Sequence, residues 1–300
     1  SHYFILDRYL KSDKEIKPAF RKGEIKEVVV FEKDFAKKIK TEGKAHMQLI
    51  LDASDPNTAN ILYSYTKGII NTYVFRKLTR EGGMPLRVNI QSTMLYNKEL
   101  KSVYMFVPGI ITVILLLVSA MMTSISITRE KELGTMEALL VSPVKPGIII
   151  LGKVIPYVVL SFINLIIILV LSQFVFGMPI NGSIALLLGE SLLFLFMSLS
   201  LGILISTVSK TQQQAMMLSM FALMLPTILL SGFIFPIENM PVVLKLLSDI
   251  MPGKWFIIII KNIMLKGVGI AYFWKETLII FTMTLFFVGI SIKRFSIRLE

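Results

Sequence analysis

Two apolar runs without a single charge, Met105–Ile127 and Val154–Phe176, bracket a charged stretch, Thr128–Lys153, that reads TREKELGTMEALLVSPVKPGIIILGK. A bilayer core about 30 Å thick is crossed by about 20 apolar residues at 1.5 Å rise each. Both runs meet that length. In hydrocarbon the backbone must satisfy its own hydrogen bonds, so both are helices. The stretch between them faces water, where a soluble partner can push on it. A chain built this way is a moving part of a machine before it is a catalyst.

Three more runs have spanning character: Ser183–Val208, Ala215–Phe235 and Leu278–Ile292, the last extended back to about Tyr272. Pro226 lies inside the fourth and predicts a kink there. A soluble core of five such helices would lack the polar surface to cover them. The composition agrees: 54% of the 300 residues are hydrophobic and only 17% are charged, against about a quarter in soluble domains. The formal charge of +12 is spread along the chain. With no concentrated basic face, a nucleic-acid partner is excluded, and the lysines read as solvated surface near anionic lipid. The absence of Cys and the presence of only His2 and His46 leave no disulfide and no His-based zinc site.

Residues 1–104 read as a separate α/β domain. Strands are expected at Ile25–Phe31, Met47–Leu51 and Pro85–Ile90, where β-branched and apolar residues cluster. Helices are expected near Lys14–Arg21 and Asp34–Lys40, and from Pro56 to about Leu78, with Asp55 as the cap and Pro56 in the first helical position. Lys and Arg number eight in the short segments on the side of Thr128–Lys153 and five on the other, which puts Thr128–Lys153 in the cytoplasm. Trp255, Tyr272 and Trp274 then fall in the opposite interface, as an aromatic belt would. Five spans leave the two termini on opposite sides, so a further spanning helix is expected ahead of Ser1, with the domain 1–104 outside the cytoplasm.

Within the cytoplasmic stretch, Met136, Leu139 and Leu140 make an apolar helical stripe flanked by Arg129, Glu130, Lys131, Glu132 and Glu137; Gly134 allows a bend and Pro143 ends the segment. Such a helix lies on the membrane surface, docks in a partner's groove, or is a plain connector. Gly147–Val154 nearly spells a phosphate-binding loop, but Val154 stands where a Ser or Thr must hold magnesium, and the four residues before Gly152 are bulky and apolar. ATP hydrolysis is therefore not expected on this chain.

Residues Arg129–Glu137 (REKELGTME), then Leu139–Pro143 (LLVSP) and Leu151–Tyr157 (LGKVIPY), resemble the cytoplasmic signature of type-2 ATP-binding-cassette (ABC) transporter permeases. Ser231–Pro241 (SGFIFPIENMP) and Val107–Gly109 at the head of the first span match the same family. The resemblance runs over nearly the whole chain. It implies an α-helical polytopic membrane protein with an N-terminal α/β extracytoplasmic domain, six spanning helices of which five are present here, and a transmembrane domain over 105–300. It also implies coupling to a separate ABC ATP-binding subunit that carries ATP and Mg, through Arg129, Glu130, Glu132, Gly134, Thr135, Glu137, Leu140 and Pro143, whose carboxylates would face basic residues of that subunit. Gly232, Phe235, Pro236, Glu238 and Pro241 would form an outer gate, with a re-entrant segment over 236–271. A second permease copy or a paralogue would complete the path.

Glu190 is the acidic residue well inside a span, and a substrate role, a proton role and simple snorkelling toward the interface are open for it; Asn164 shares its interior or bonds to a neighbouring helix. The function expected is that of an exporter permease, not an enzyme, in the cell membrane of a bacterium or archaeon. The alternative is a membrane receptor whose domain 1–104 senses a ligand, for which the eight residues after Ile292 provide little output.

Overall fold

The computed structural model describes residues 4–81, 87–135 and 146–297. The chain divides into two compact units, Ser1–Met105 and Phe106–Glu300.

The N-terminal unit is built on a three-stranded sheet: β1 (Glu27–Phe31), β2 (Lys44–Asp52) and β3 (Arg87–Leu95), in that spatial order. β1 runs antiparallel to β2, with Val29 opposite Leu49, and β3 runs parallel to β2, with Ser92 opposite Leu49. A parallel pair needs a crossover, and α3 (Pro56–Glu81) supplies it. Asp55 starts that helix as the sequence predicts, its Oδ1 accepting the backbone N–H groups of Asn57 at 3.1 Å and Thr58 at 3.2 Å. β2 is the central strand and buries both faces. Met47, Leu49 and Leu51 pack with Ala53 and Ala59 and with Leu62 and Ile70 of α3, while Ile50 packs on the other face with Ile16 and Phe20 of α1 (Ile16–Arg21). A short α2 (Phe35–Thr41) joins β1 to β2. Sequence expectation and structure agree on these elements, with β3 beginning at Arg87 and running on to Leu95.

The second unit is helical. Its elements are α4 (Val103–Glu132), α5 (Pro146–Phe174), α6 (Ile184–Val208), α7 (Gln212–Ser219), α8 (Leu225–Leu230), α9 (Val242–Ile250), α10 (Pro252–Lys261) and α11 (Trp274–Ile297). Among the described residues, five stretches are long and apolar enough to cross a membrane: Val103–Glu132, Gly152–Phe174, Ile184–Val208, Gln212–Leu230 and Trp274–Ser291. α5 leaves Ile155, Val159, Ile163, Ile166 and Val170 exposed, as a lipid-facing helix does. Polar contacts join the helices: the Ser119 hydroxyl donates to Ser161 Oγ at 2.9 Å, and the Ser291 hydroxyl to the Ser200 carbonyl at 3.0 Å.

The spans differ from the expectation at several points. α5 begins at Pro146 and not at Val154. α4 does not stop at Ile127 but continues through Arg129–Glu132, so the first residues of the charged stretch prolong a spanning helix. The fourth span ends at Leu230 and not at Phe235, because Ser231 and Gly232, the latter with φ +76°, turn the chain. Pro226 is met by a π turn at Met220–Met224 immediately before α8, which re-registers the backbone ahead of the missing proline N–H.

In the N-terminal unit, Glu27 is pushed above the ordinary carboxylate range by burial, which outweighs the bond from the Thr66 hydroxyl at 2.8 Å. An acid raised in the folded state stabilises the fold below its unfolded range, and that contribution is lost as pH rises toward the folded value. Glu27→Gln, which keeps an acceptor for Thr66, is expected to slow amide hydrogen exchange in β1 and α3 at neutral pH. The difference from wild type should close as pH falls toward about 4, the unperturbed range.

Candidate functional site

The last turn of α4 carries three consecutive charged residues. Successive residues on an α-helix are rotated by roughly 100°, so Glu130, Lys131 and Glu132 fan out and reach three different helices. Glu130 Oε1 accepts a hydrogen bond from Lys153 Nζ of α5 at 2.7 Å, with both side chains about three-quarters buried. Lys131 Nζ donates to the backbone carbonyl of Ser206 in the last turn of α6, where unpaired carbonyls and the negative end of the helix dipole favour a cation. Glu132 Oε2 accepts the backbone N–H of Gln212 at 2.8 Å and its side-chain amide at 3.1 Å. Gln212 is the first residue of α7, where a carboxylate offsets the positive end of the dipole. One helical turn thus pairs with a side chain, a helix C-terminus and a helix N-terminus.

α7 is held a second way. The Thr211 hydroxyl accepts the Gln214 backbone N–H at 3.2 Å, and Gln214 Oε1 accepts the N–H of Lys210, the residue before the cap, at 2.8 Å, close to a capping box with its return bond moved by one residue. α4 ends at Leu133 and Gly134. The Leu133 N–H bonds the Arg129 carbonyl at 2.9 Å, and Gly134 takes φ +73°, the left-handed cap that glycine accepts without strain. The Thr135 hydroxyl folds back onto Glu130 Oε2. Arg129 and Leu133 are exposed.

The sequence reading offered Glu130 and Glu132 to a partner chain; in the fold both carboxylates are engaged within this chain. Glu137, Leu140 and Pro143 lie outside the described residues. The near-match to a phosphate-binding loop, Gly147–Val154, lies within α5 and not in a loop between a strand and a helix, and Lys153 is paired with Glu130.

At the other end of α4, the Phe233 ring lies over Gly109, and any Cβ there would run into it; Phe106 meets the same ring edge-on, centroids 5.9 Å apart. Two separate sequence signatures, Val107–Gly109 and Ser231–Pro241, therefore pack against each other. Gly232 turns the chain, Phe235 is exposed, Pro236 precedes a 3-10 turn at Ile237–Asn239 that includes Glu238, and Pro241 immediately precedes α9. α9 turns Val243, Leu246 and Ile250 outward and buries Ser248, the reverse of a water-facing helix. α10 buries Phe256, Ile257, Ile259 and Ile260, and the Phe256 ring stacks on Phe194 of α6 with centroids 4.0 Å apart. The expected re-entrant segment is thus an exposed apolar helix followed by a buried one.

Glu190 of α6 is 4% exposed and lies 2.9 Å from the Thr277 hydroxyl of α11. Asn164 is half-buried on α5. The sequence reading missed Lys131, Lys153, Gln212 and Thr277 as partners. Gln212 had a local signal, the Thr211–Gln214 capping pattern; the others had none, since their partners are distant in sequence.

The Glu130–Lys153 pair predicts a charge-swap result. Glu130→Lys and Lys153→Glu each leave two like charges in a mostly buried site and lower the unfolding temperature in detergent. The double variant recovers most of the loss, a coupling on the order of 1 kcal/mol. Additive losses in the double variant would show that the contact contributes nothing.

The whole-chain comparison places this geometry in a family. The model of the family described as ABC-2 family transporter protein matches residues 1–293. The chain is 33% identical to the probable multidrug ABC transporter permease YbhS of Escherichia coli K12 over 93% of its own length and 74% of that protein's. It is 34% identical to the probable multidrug ABC transporter permease YbhR over 89% and 72%, and 30% identical to the inner membrane transport permease YhhJ over 83% and 67%, both of the same organism. No solved structure matches. The chain is a multi-pass membrane protein and belongs to the ABC-2 transporter family, as a permease subunit.

Proposed function

We propose that this chain is the membrane half of an ATP-driven exporter, and that the last turn of α4 passes work from a separate ABC ATP-binding subunit into the spanning helices. The observation that carries the reading is the fan of Glu130, Lys131 and Glu132 onto α5, α6 and α7. Displacing one turn moves the ends of three helices together, which a loose connector could not do. Transmission between distant sites needs a stiff element with more than one arrangement.

In this reading Arg129 and Leu133, both exposed, together with the segment that follows, meet the ATPase, which carries ATP and Mg. The end of α4 faces the cytoplasm, and the N-terminal α/β unit is extracytoplasmic. A second permease copy or a paralogue completes the path, and α9 rests among lipid tails and headgroups. The names of YbhS and YbhR point to multidrug substrates and that of YhhJ to an inner membrane; in this reading the membrane is that of a bacterium or archaeon.

The test is co-purification in mild detergent followed by dye movement in inverted vesicles. The reading predicts that a nucleotide-binding chain accompanies wild type, that Arg129→Glu with Leu133→Asp loses it at least tenfold, and that ATP drives a lipophilic dye into the vesicles. Dye movement at wild-type rate without any nucleotide-binding chain would overturn it.

A further inference from the structure

Glu190 is a buried ionisable residue to which the coupling reading gives no task. It stands about 9 Å along α6 from Ile184, at 1.5 Å per residue, inside a spanning helix. Thr277 Oγ1 lies 2.9 Å from its Oε1, and its Oε2 is buried with no partner among the described residues. The same Thr277 hydroxyl lies 3.3 Å from the Phe273 carbonyl, one turn back on α11.

A threonine hydroxyl has one hydrogen to give. If Glu190 is ionised, that hydrogen goes to Oε1, and a full negative charge is left with one neutral donor. A charge in a spanning helix costs at least about 2.5 kcal/mol near its centre, and buried charges are normally paired. Among the described residues no basic group supplies the pairing. Lys153 of α5 is held by Glu130 and Lys254 of α10 by Asp249. Lys261 of α10, Lys266 of the following π turn, and Lys275 and Glu276 of α11 make no hydrogen bond or ion pair with Glu190, whose partner among the described residues is Thr277. α7 carries no charge, the charges of α4 lie at its far end beside Ser206, and Lys293 and Arg294 follow roughly four turns further along α11.

If Glu190 carries a proton on Oε1, every hydrogen finds an acceptor. The acid donates to Thr277 Oγ1, and Thr277 donates to the Phe273 carbonyl. Only Oε2 remains unpaired, as a neutral carbonyl oxygen, at a cost of about 1–3 kcal/mol and without a buried charge.

We propose that Glu190 is a proton-binding site: in this packed arrangement of α6 and α11 it is a neutral acid, Thr277 accepts its hydrogen bond, and it ionises when the two helices part. The proposal rests on this helix pair and not on the identity of the ATPase.

The test is infrared spectroscopy of the purified full chain in detergent. The difference between wild type and Glu190→Gln at pH 7 should contain a carboxylic-acid carbonyl band belonging to wild type, which shifts on exchange into heavy water. In Thr277→Val the same band should move to higher frequency as its hydrogen bond is lost, while Thr277→Ser leaves it in place. A carboxylate band in place of the acid band, moved by Thr277→Val, would overturn the proposal.

Discussion

A helix in hydrocarbon gains nothing from burying apolar side chains against another helix, because lipid is as apolar as leucine. Position is therefore decided by close packing and by the few polar groups that must find partners. In this chain those groups concentrate at one turn. Glu130, Lys131 and Glu132 bond to α5, α6 and α7, and each bond uses a group that would otherwise be costly: a mostly buried lysine, a terminal carbonyl, a terminal N–H. The rest of the helical unit is arranged around helices whose ends are fixed there.

At the opposite end of α4 the joint is apolar. The Phe233 ring occupies the place of a side chain at position 109, and Phe106 of α4 meets that ring edge-on. Aromatic packing of this kind resists overpacking but has no directional bond to break. α4 is thus held by charge at one end and by shape at the other. That difference suits an element pushed at its charged end and answered by a rearrangement at the other.

The spans were legible because hydrocarbon imposes a crude rule on composition, and Asp55–Pro56 was legible because a cap and its helix are neighbours in sequence. The α/β unit followed from the same local logic, with β2 recognisable by its unbroken apolar run. The end of α4 was not. Arg129–Glu132 looks like the start of a water-facing segment, and only the partners supplied by Lys153, Ser206 and Gln212, brought from elsewhere in the chain, make it the last turn of a spanning helix. The halt at Leu230 was obscured in the same way, because Ser231–Phe235 is apolar enough to continue a span until Gly232 turns it. Glu190 stood out as a lone charge, but Thr277, the residue that defines its state, has no sequence signal at all.

The account depends on α4 and α7 moving as one body. With no cysteine of its own, the chain accepts spin labels at Met122→Cys, exposed on α4, and at Lys210→Cys, two residues before α7. Pulsed electron-spin distances should be measured in the complex with its ATPase, before and after trapping with ATP. The account predicts an unchanged label separation across this joint while a second pair, Ile110→Cys and Val243→Cys, changes its separation. A 122–210 pair that separates on ATP binding during undiminished transport would contradict it.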